Sequence, residues 1–235
     1  MNHRFHTTHP LVIGETIDIT GDELHHAARV VRVREGEEVE LFDGRGNAAH
    51  GVVRALNREH LSVELLRNID ARESPCAIRL ALAIINLEKF ELVLQKATEL
   101  GARTLIPLVT ERIELRPERY RGKSERWKKI LFEAVKQSGR AVIPMLEEPA
   151  EFGEVIRRDE PKLLFDADCV PKPAPEALSE VTLLIGPEGG WSDAELALAR
   201  QHNCWMEKLG PRRLRAETAA IAAMTLAQHR FGDLK

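Results

Sequence analysis

The sequence predicts a two-part α/β protein, a small β-rich part followed by a larger part built on a parallel sheet. Before residue 70, short segments alternate apolar and polar residues, the pattern of half-buried strands. Beyond it, nearly continuous apolar runs alternate with helical stretches, which indicates strands covered on both faces. Between the two lies "NIDARESP" at 68–75, polar and closed by proline, a plausible linker. The expected domains are therefore 1–70 and 74–235.

In the small part, "EEVELFD" (37–43), "AAHGVVRAL" (48–56) and "HLSVELL" (60–66) read as strands, with "DGRG" at 43–46 turning between the first two. One helix is expected. Thr20 and Glu23 have capping-box spacing, and Leu24, Ala27, Ala28 and Val31 follow at helical intervals. A compact barrel is the expected outcome.

In the large part, the strand runs are "RLALAII" (79–85), "TLIPLV" (104–109), "AVIPML" (141–146), "KLLFD" (162–166), "TLLIG" (182–186) and "CWMEKL" (204–209). Phe90, Val93, Leu94, Ala97 and Leu100 mark a helix closed by Gly101. Trp127, Ile130, Leu131, Ala134 and Val135 mark another, with Ser124 as its expected N-cap.

Composition bounds the function classes. An apolar fraction of 43% and a charged fraction of 30% suit a globular chain with a packed core. No apolar run reaches membrane-span length, and "MNHRFHTTHP" lacks the apolar region of a secretory signal, so the cytoplasm is the expected compartment. Three separated cysteines argue against a disulfide framework or a zinc site. The histidines at 3, 6, 9, 25 and 26 share no common face and favour a solvated or packed role over metal binding. The net charge of −3 hides local patches. Residues 111–140 hold ten Lys/Arg against five Asp/Glu, which by itself reads as a solvated face, whereas "KLGPRRLR" at 208–215 has no acid at all.

The chemistry concentrates in "LLIGPEGGWSDAEL" at 183–196. An apolar run ends at Gly186, two further glycines follow, and Ser192 with Glu195 forms the capping box of the next helix. Such a junction exposes backbone donors and acceptors at the carboxyl edge of the sheet, where α/β proteins bind ligands. A P-loop would need its lysine, a dinucleotide fingerprint needs other spacing, and Glu188 would repel phosphate. Alone, the loop also reads as a tight turn holding nothing. "LGPRRLRAETAAIAAMTLAQ" (209–228) repeats the layout: strand, Gly-Pro turn, basic residues, helix. Two adjacent loops of this kind would build one pocket able to hold an adenine and ribose through main-chain groups.

These two motifs resemble the paired C-terminal motifs of the RsmE family, within the SPOUT class of methyltransferases. The resemblance extends through "HHAARVVRVREGEEVELFDGRG" (25–46), "QKATELGARTLIPLVTER" (95–112), "RWKKI" (126–130), "QSGR" (137–140) and "RFGD" (230–233), all in order. It implies a PUA-like N-terminal β-barrel, a SPOUT domain with a parallel sheet and trefoil knot, and a homodimer. It also implies S-adenosylmethionine as cofactor and methylation of N3 of a uridine in 16S, small-subunit ribosomal RNA. Family cofactor contacts carry over to Ile185, Gly186 and Gly190 in the first loop, and to Leu209, Gly210, Leu214, Arg215, Ala216 and Thr218 in the second. Arg4, Arg32, Arg112 and Arg140 match recurrent arginines and are candidates for RNA contact. The chain departs from the family at "NLEKFE" (86–91), which keeps Lys89 and Glu91, and at Lys136, where an acidic residue is common.

Uridine N3 becomes a nucleophile only on losing its proton, which spreads charge onto O2 and O4, and an arginine fork suits that charge. Arg215, or Arg4 from the small part, is the candidate for this role. No general base stands out, although Glu188 and Glu217 lie nearby in sequence. Trp127 and Trp205 read as core and Trp191 is open between core and base stacking. The competing readings are a SPOUT enzyme acting on ribose 2′-OH or guanine N1, and a non-catalytic RNA-binding module.

Overall fold

The computed structural model describes residues 3–235, which divide into two compact units, 3–73 with 135–143, and 74–134 with 144–235. In the first unit, β1 (His3–His6), β2 (Thr16–Ile19), α1 (Gly21–His25), β3 (Glu38–Phe42), β4 (Ala48–Leu56) and β5 (Leu61–Ile69) follow in order. The five strands form one sheet in the order β1-β3-β4-β5-β2, parallel only between β1 and β3. Register shifts in the β4–β5 ladder, between His50 and Gly51 and between Val53 and Ala55, mark bulges. Bulges bend and twist an antiparallel pair. Alternate residues of the strands, Phe5, Ile17, Val39, Leu41, Val53 and Val63 among them, fill one core with Leu24 and Ala27.

The helix expected from Thr20 takes a different course. α1 runs only to His25 and passes into a π-helical turn, His26–Val31, which Arg32 ends in the left-handed conformation at φ 59°. Thr20 occupies the N-cap position without a side-chain cap. The capping box fails because Glu23 is engaged elsewhere: its carboxylate accepts from the His6 N–H at 2.9 Å and from Lys136 Nζ at 2.7 Å. Lys136 thus holds the inside of the first unit.

Residues 135–143 join this unit through more than that ion pair. Ala141 N–H donates to the Ala71 carbonyl, and Ile143 N–H to that of Gly44. The strand expected over 141–146 is accordingly cut down to Met145–Leu146, because its first half pairs in the other unit. Arg140 is 3% exposed, and its guanidinium lies on the Glu73 carboxylate at 2.7 Å, while that carboxylate also accepts from the Ala141 and Val142 N–H groups. Breaking a buried pair from one side strands a charge and costs about 3–5 kcal/mol. Glu73 keeps 18% exposure, so Arg140→Met is expected to lower unfolding free energy by somewhat less, about 2–3 kcal/mol. Urea unfolding checks it; an unchanged midpoint refutes a structural role.

The second unit holds β6 (Ala77–Ala83), α2 (Leu87–Glu99), β7 (Thr104–Val109), α3 (Pro117–Tyr120), the start of α4 (Ser124–Ser138), β8 (Met145–Leu146), β9 (Ala150–Glu151) and α5 (Phe152–Ile156). It continues with β10 (Lys162–Phe165), β11 (Glu180–Ile185), α6 (Asp193–Gln201), β12 (Trp205–Glu207) and α7 (Ala216–Phe231). Its sheet is parallel throughout, in the order β12-β10-β11-β6-β7-β8, with β9 also on β7. Strands buried on both sides divide their residues between two cores. Leu80, Leu82, Leu183 and Ile185 pack with α2 and α7, whereas Ala81, Ile106, Leu164 and Leu184 pack with α5 and α6. Ala216, Ala220, Ala223 and Ala227 give α7 the small buried face that its composition predicts.

Pro107 sits within buried β7, where a missing N–H would normally break the ladder. The Leu105 carbonyl accepts from Glu147 N–H beside β8, so Pro107, two residues on, faces the same edge. β8 pairs with residues 104–105 and β9 with 108–109, and the proline falls in the gap between them. Ser124 opens α4 as its first residue instead of preceding it. The three cysteines are buried thiols, and burial pushes Cys204 up to about 12. No helix among the described residues is long and apolar enough to cross a membrane.

Candidate active site

Three loops of the second unit meet beyond the carboxyl ends of β10, β11 and β12 and enclose a cavity of about 660 Å³. That volume is in the range of small-molecule sites. Its first wall is the glycine loop. Gly190 adopts φ +68°, closing a turn in which its N–H donates to the Pro187 carbonyl at 2.9 Å. At Gly186 a Cβ would stand 3.0 Å from the Trp191 indole, so only glycine lets the ring pack there without displacement. Trp191 is 4% exposed and its Nε1 donates to the Phe165 carbonyl at 3.0 Å. The ring therefore ties the glycine loop to the end of β10, and it offers no face for base stacking. Trp127 is likewise core, 4.8 Å from Phe90 between ring centroids.

The capping box forms as the sequence predicts. Glu195 N–H donates to Ser192 Oγ at 3.2 Å, and Ser192 N–H to Glu195 Oε2 at 2.8 Å. The other oxygen of this buried carboxylate accepts from Glu111 N–H at 3.0 Å, fixing the segment after β7 beside the loop. From that segment, Arg112 donates to the Gly189 carbonyl at 3.1 Å.

Glu188 is 45% exposed, with Lys89 Nζ 3.2 Å away; the same ammonium stands 3.6 Å from Glu217. One lysine of α2 thereby bridges the glycine loop to the first turn of α7. An exposed pair of this kind adds little stability but does fix orientation. Nothing local in the sequence links these three residues, so periodicity could not have paired them.

The second Gly-Pro loop forms the opposite wall. Gly210 turns at φ +95°, and Arg215 holds the N-cap position of α7 without making a side-chain cap. Arg213 pairs with Asp168 at 2.6 Å, joining this loop to the one after β10. Arg215 is exposed on the cavity wall; its carbonyl accepts from Ala219 N–H, but among the described residues no hydrogen bond or ion pair engages its guanidinium.

The structure thus brings Ile185, Gly186, Gly190, Leu209, Gly210, Leu214, Arg215 and Ala216 around one cavity. Thr218, in the first turn of α7, is exposed and does not line it. The four arginines separate into two kinds. Arg32 and Arg112 are exposed. Arg140 is the buried partner of Glu73. Arg4, in the first unit, has a side chain only 8% exposed, 3.0 Å from Glu40 and stacked over Phe42, with Nη1 donating to the Val135 carbonyl. Burial, with Arg72 adding repulsion, draws the Arg4 guanidinium below its usual range despite Glu40.

The chemistry of this lining is that of a backbone-rich pocket with an apolar floor. Ile185, Leu209, Leu214 and Ala216 offer surface to a flat heterocycle, and no lysine lines it for phosphate. The carboxylates of Asp166 and Glu188 suit hydroxyl or cationic groups, and the arginines suit a carboxylate.

Comparison with known proteins agrees with this chemistry. Residues 72–228 match a family described as an RNA methyltransferase domain, and residues 19–66 one described as an RNA methyltransferase PUA domain. The ribosomal RNA small subunit methyltransferase E of Synechocystis is 33% identical, over 91% of this chain and 73% of its own length. The enzyme of the same name from Buchnera aphidicola (Schizaphis graminum) is 31% identical, over 98% and 97%. The crystal structure of that methyltransferase from Neisseria gonorrhoeae, bound to S-adenosyl methionine, superposes over the whole of both chains with a TM-score of 0.90 at 29% identity. With its methyltransferase and PUA regions matched in order and a relative more than 30% identical aligned nearly end to end, the chain belongs to the ribosomal RNA small subunit methyltransferase E family of RNA methyltransferases.

Proposed function

We propose that the protein transfers a methyl group from S-adenosylmethionine to N3 of one uridine in 16S ribosomal RNA. The observation that carries the reading is the single cavity walled by both Gly-Pro loops, in a family whose Neisseria member binds that cofactor. The cofactor supplies an electrophilic methyl carbon when bound. Ile185, Gly186, Gly190, Leu209, Gly210, Leu214 and Ala216 are the residues that would hold it, largely through main-chain groups and apolar contact. Thr218 could contribute only from the rim.

The protein's task is orientation and charge. The uridine must be unpaired or extruded, since N3 lies on its Watson–Crick edge. Arg215, uncommitted on the cavity wall, stabilises the charge that N3 deprotonation places on O2 and O4. Arg4 is not assigned that role, because its guanidinium is already held inside the first unit. Arg32 and Arg112 present exposed guanidinium groups for RNA phosphate or base contact, and Arg140 does not. The first unit serves as the RNA-holding PUA domain. The second carries the trefoil knot of the SPOUT class and pairs as a homodimer in the cytoplasm; Leu92 on α2 and Leu226 on α7 are exposed apolar residues that pairing would cover.

Reverse transcription of ribosomal RNA tests the reaction, because N3-methyluridine blocks pairing. Cells with the protein should show a stop at one uridine that cells lacking it do not. A stop that persists in the deletion strain refutes the assignment. Nucleoside mass spectrometry of the same RNA separates N3-methyluridine from a ribose or guanine product.

A further inference from the structure

A second cavity of about 400 Å³ borders the first along a shared wall, since Arg112, Pro187, Glu188 and Gly189 line both. Its remaining lining comes from Ile84, Ile85, Asn86, Glu114 and Leu115. Ile84 and Ile85 directly follow β6 and are almost wholly buried, so they give the cavity an apolar floor. Four polar side chains border that floor, those of Arg112, Glu188, Asn86 and Glu114. Arg112 brings guanidinium donors beyond the bond that it makes to Gly189. Glu188 brings a carboxylate held by Lys89. Asn86 caps α2, its Oδ1 accepting from Glu88 N–H at 3.0 Å, which leaves its amide NH₂ as the group it can offer.

Donor, acceptor and donor are the complement of one pyrimidine edge. Uracil presents a carbonyl, an N–H and a second carbonyl along O2, N3 and O4. Cytosine presents an amino group and an unprotonated nitrogen at the matching places, and would set donor against donor. Desolvated mismatches of that kind are what make polar pockets selective. Resting on the function proposed above, we infer that this smaller cavity is the subsite for the target uracil, with Glu188 the acceptor of its N3 proton. Of the two carboxylates there, Glu188 is chosen over Glu114 because it alone also lines the larger cavity.

The step balances without a further reactant. The N3 proton passes to the Glu188 carboxylate, and the N3 electron pair forms the bond to the methyl carbon. The carbon–sulfur bond breaks with both electrons kept by sulfur, which loses its positive charge. Arg112 and the Asn86 amide hold the uracil oxygens, and the negative charge these carry in between is shared with Arg215 on the wall of the adjoining larger cavity. Lys89 acts as a positioning residue, through Glu188.

The test uses full-length protein with small-subunit ribosomal RNA transcribed with 5-iodouridine, irradiated and mapped by peptide mass spectrometry, with methylation of unmodified RNA followed in parallel. Crosslinks are expected within 84–86 or 112–115. Glu188→Gln, assayed at saturating S-adenosylmethionine, should keep these crosslinks while kcat falls about 10²–10⁴-fold, the range of a lost general base. If RNA is methylated but crosslinks fall elsewhere, or if Glu188→Gln turns over at the wild-type rate, the subsite assignment is overturned and the methyl-transfer reading stands. If no uridine is methylated, both are overturned.

Discussion

Trp191→Ala is expected to destabilise the protein by about 3–5 kcal/mol, the range for removing a buried aromatic side chain. For a chain of this size each kcal/mol moves Tm by about 2–4 °C, so a fall of about 6–20 °C should appear in a thermal melt. Two effects add at this position. The ring is 4% exposed and packs against Phe152 at 5.2 Å between centroids, so its loss leaves a void. Its Nε1 also satisfies the Phe165 carbonyl at the end of β10. Trp191→Phe separates the two effects: most of the ring volume stays and the donor goes, for about 1–3 kcal/mol. Because the indole ties the glycine loop to β10, both variants should also weaken S-adenosylmethionine binding in calorimetry. A melt within a degree of wild type for the alanine variant would show that the ring holds nothing.

Arg215→Ala is expected to lower kcat by about 10²–10³-fold, the usual effect of removing one donor from a developing oxyanion. The fold of the variant should be intact, because Arg215 is exposed and makes no side-chain cap on α7. Arg215→Lys should recover only part of the loss, since an ammonium cannot reproduce the planar fork of a guanidinium. Single-turnover kinetics with saturating RNA and cofactor isolate the step. A variant with wild-type single-turnover rate but raised KM for RNA would instead place Arg215 in RNA binding.

Much of the protein was legible because it is written locally. The strands at 48–56 and 104–109 stand where alternation and apolar runs place them, since both signals depend on neighbouring residues. The Ser192–Glu195 box was legible for the same reason, both of its hydrogen bonds being set by a spacing of three residues. Features that depend on distant partners were not. Thr20 and Glu23 carry the same spacing, yet the reach of Glu23 to Lys136 could not be seen from either end. Arg140 and Arg4 read in the sequence as arginines for RNA contact, and only their three-dimensional neighbours, Glu73 and Glu40, show that they are interior. Glu188 was the least readable residue of the glycine loop. Its partner Lys89 lies about a hundred positions away, in a stretch that departs from the family pattern.

The inclusion of 135–143 in the first unit also constrains when that unit can be completed. A chain leaving the ribosome exposes its N-terminal sheet first, and contiguous domains fold as they emerge. Here the strands of 3–69 are available early, but the groups that satisfy Glu23 and Glu73 belong to residues made much later. Loop closure over such a separation is slow relative to a local hairpin. The N-terminal sheet must therefore wait, with two carboxylates unpaired, until residue 143 has cleared the exit tunnel. A fragment ending at residue 73 would remain in that waiting state.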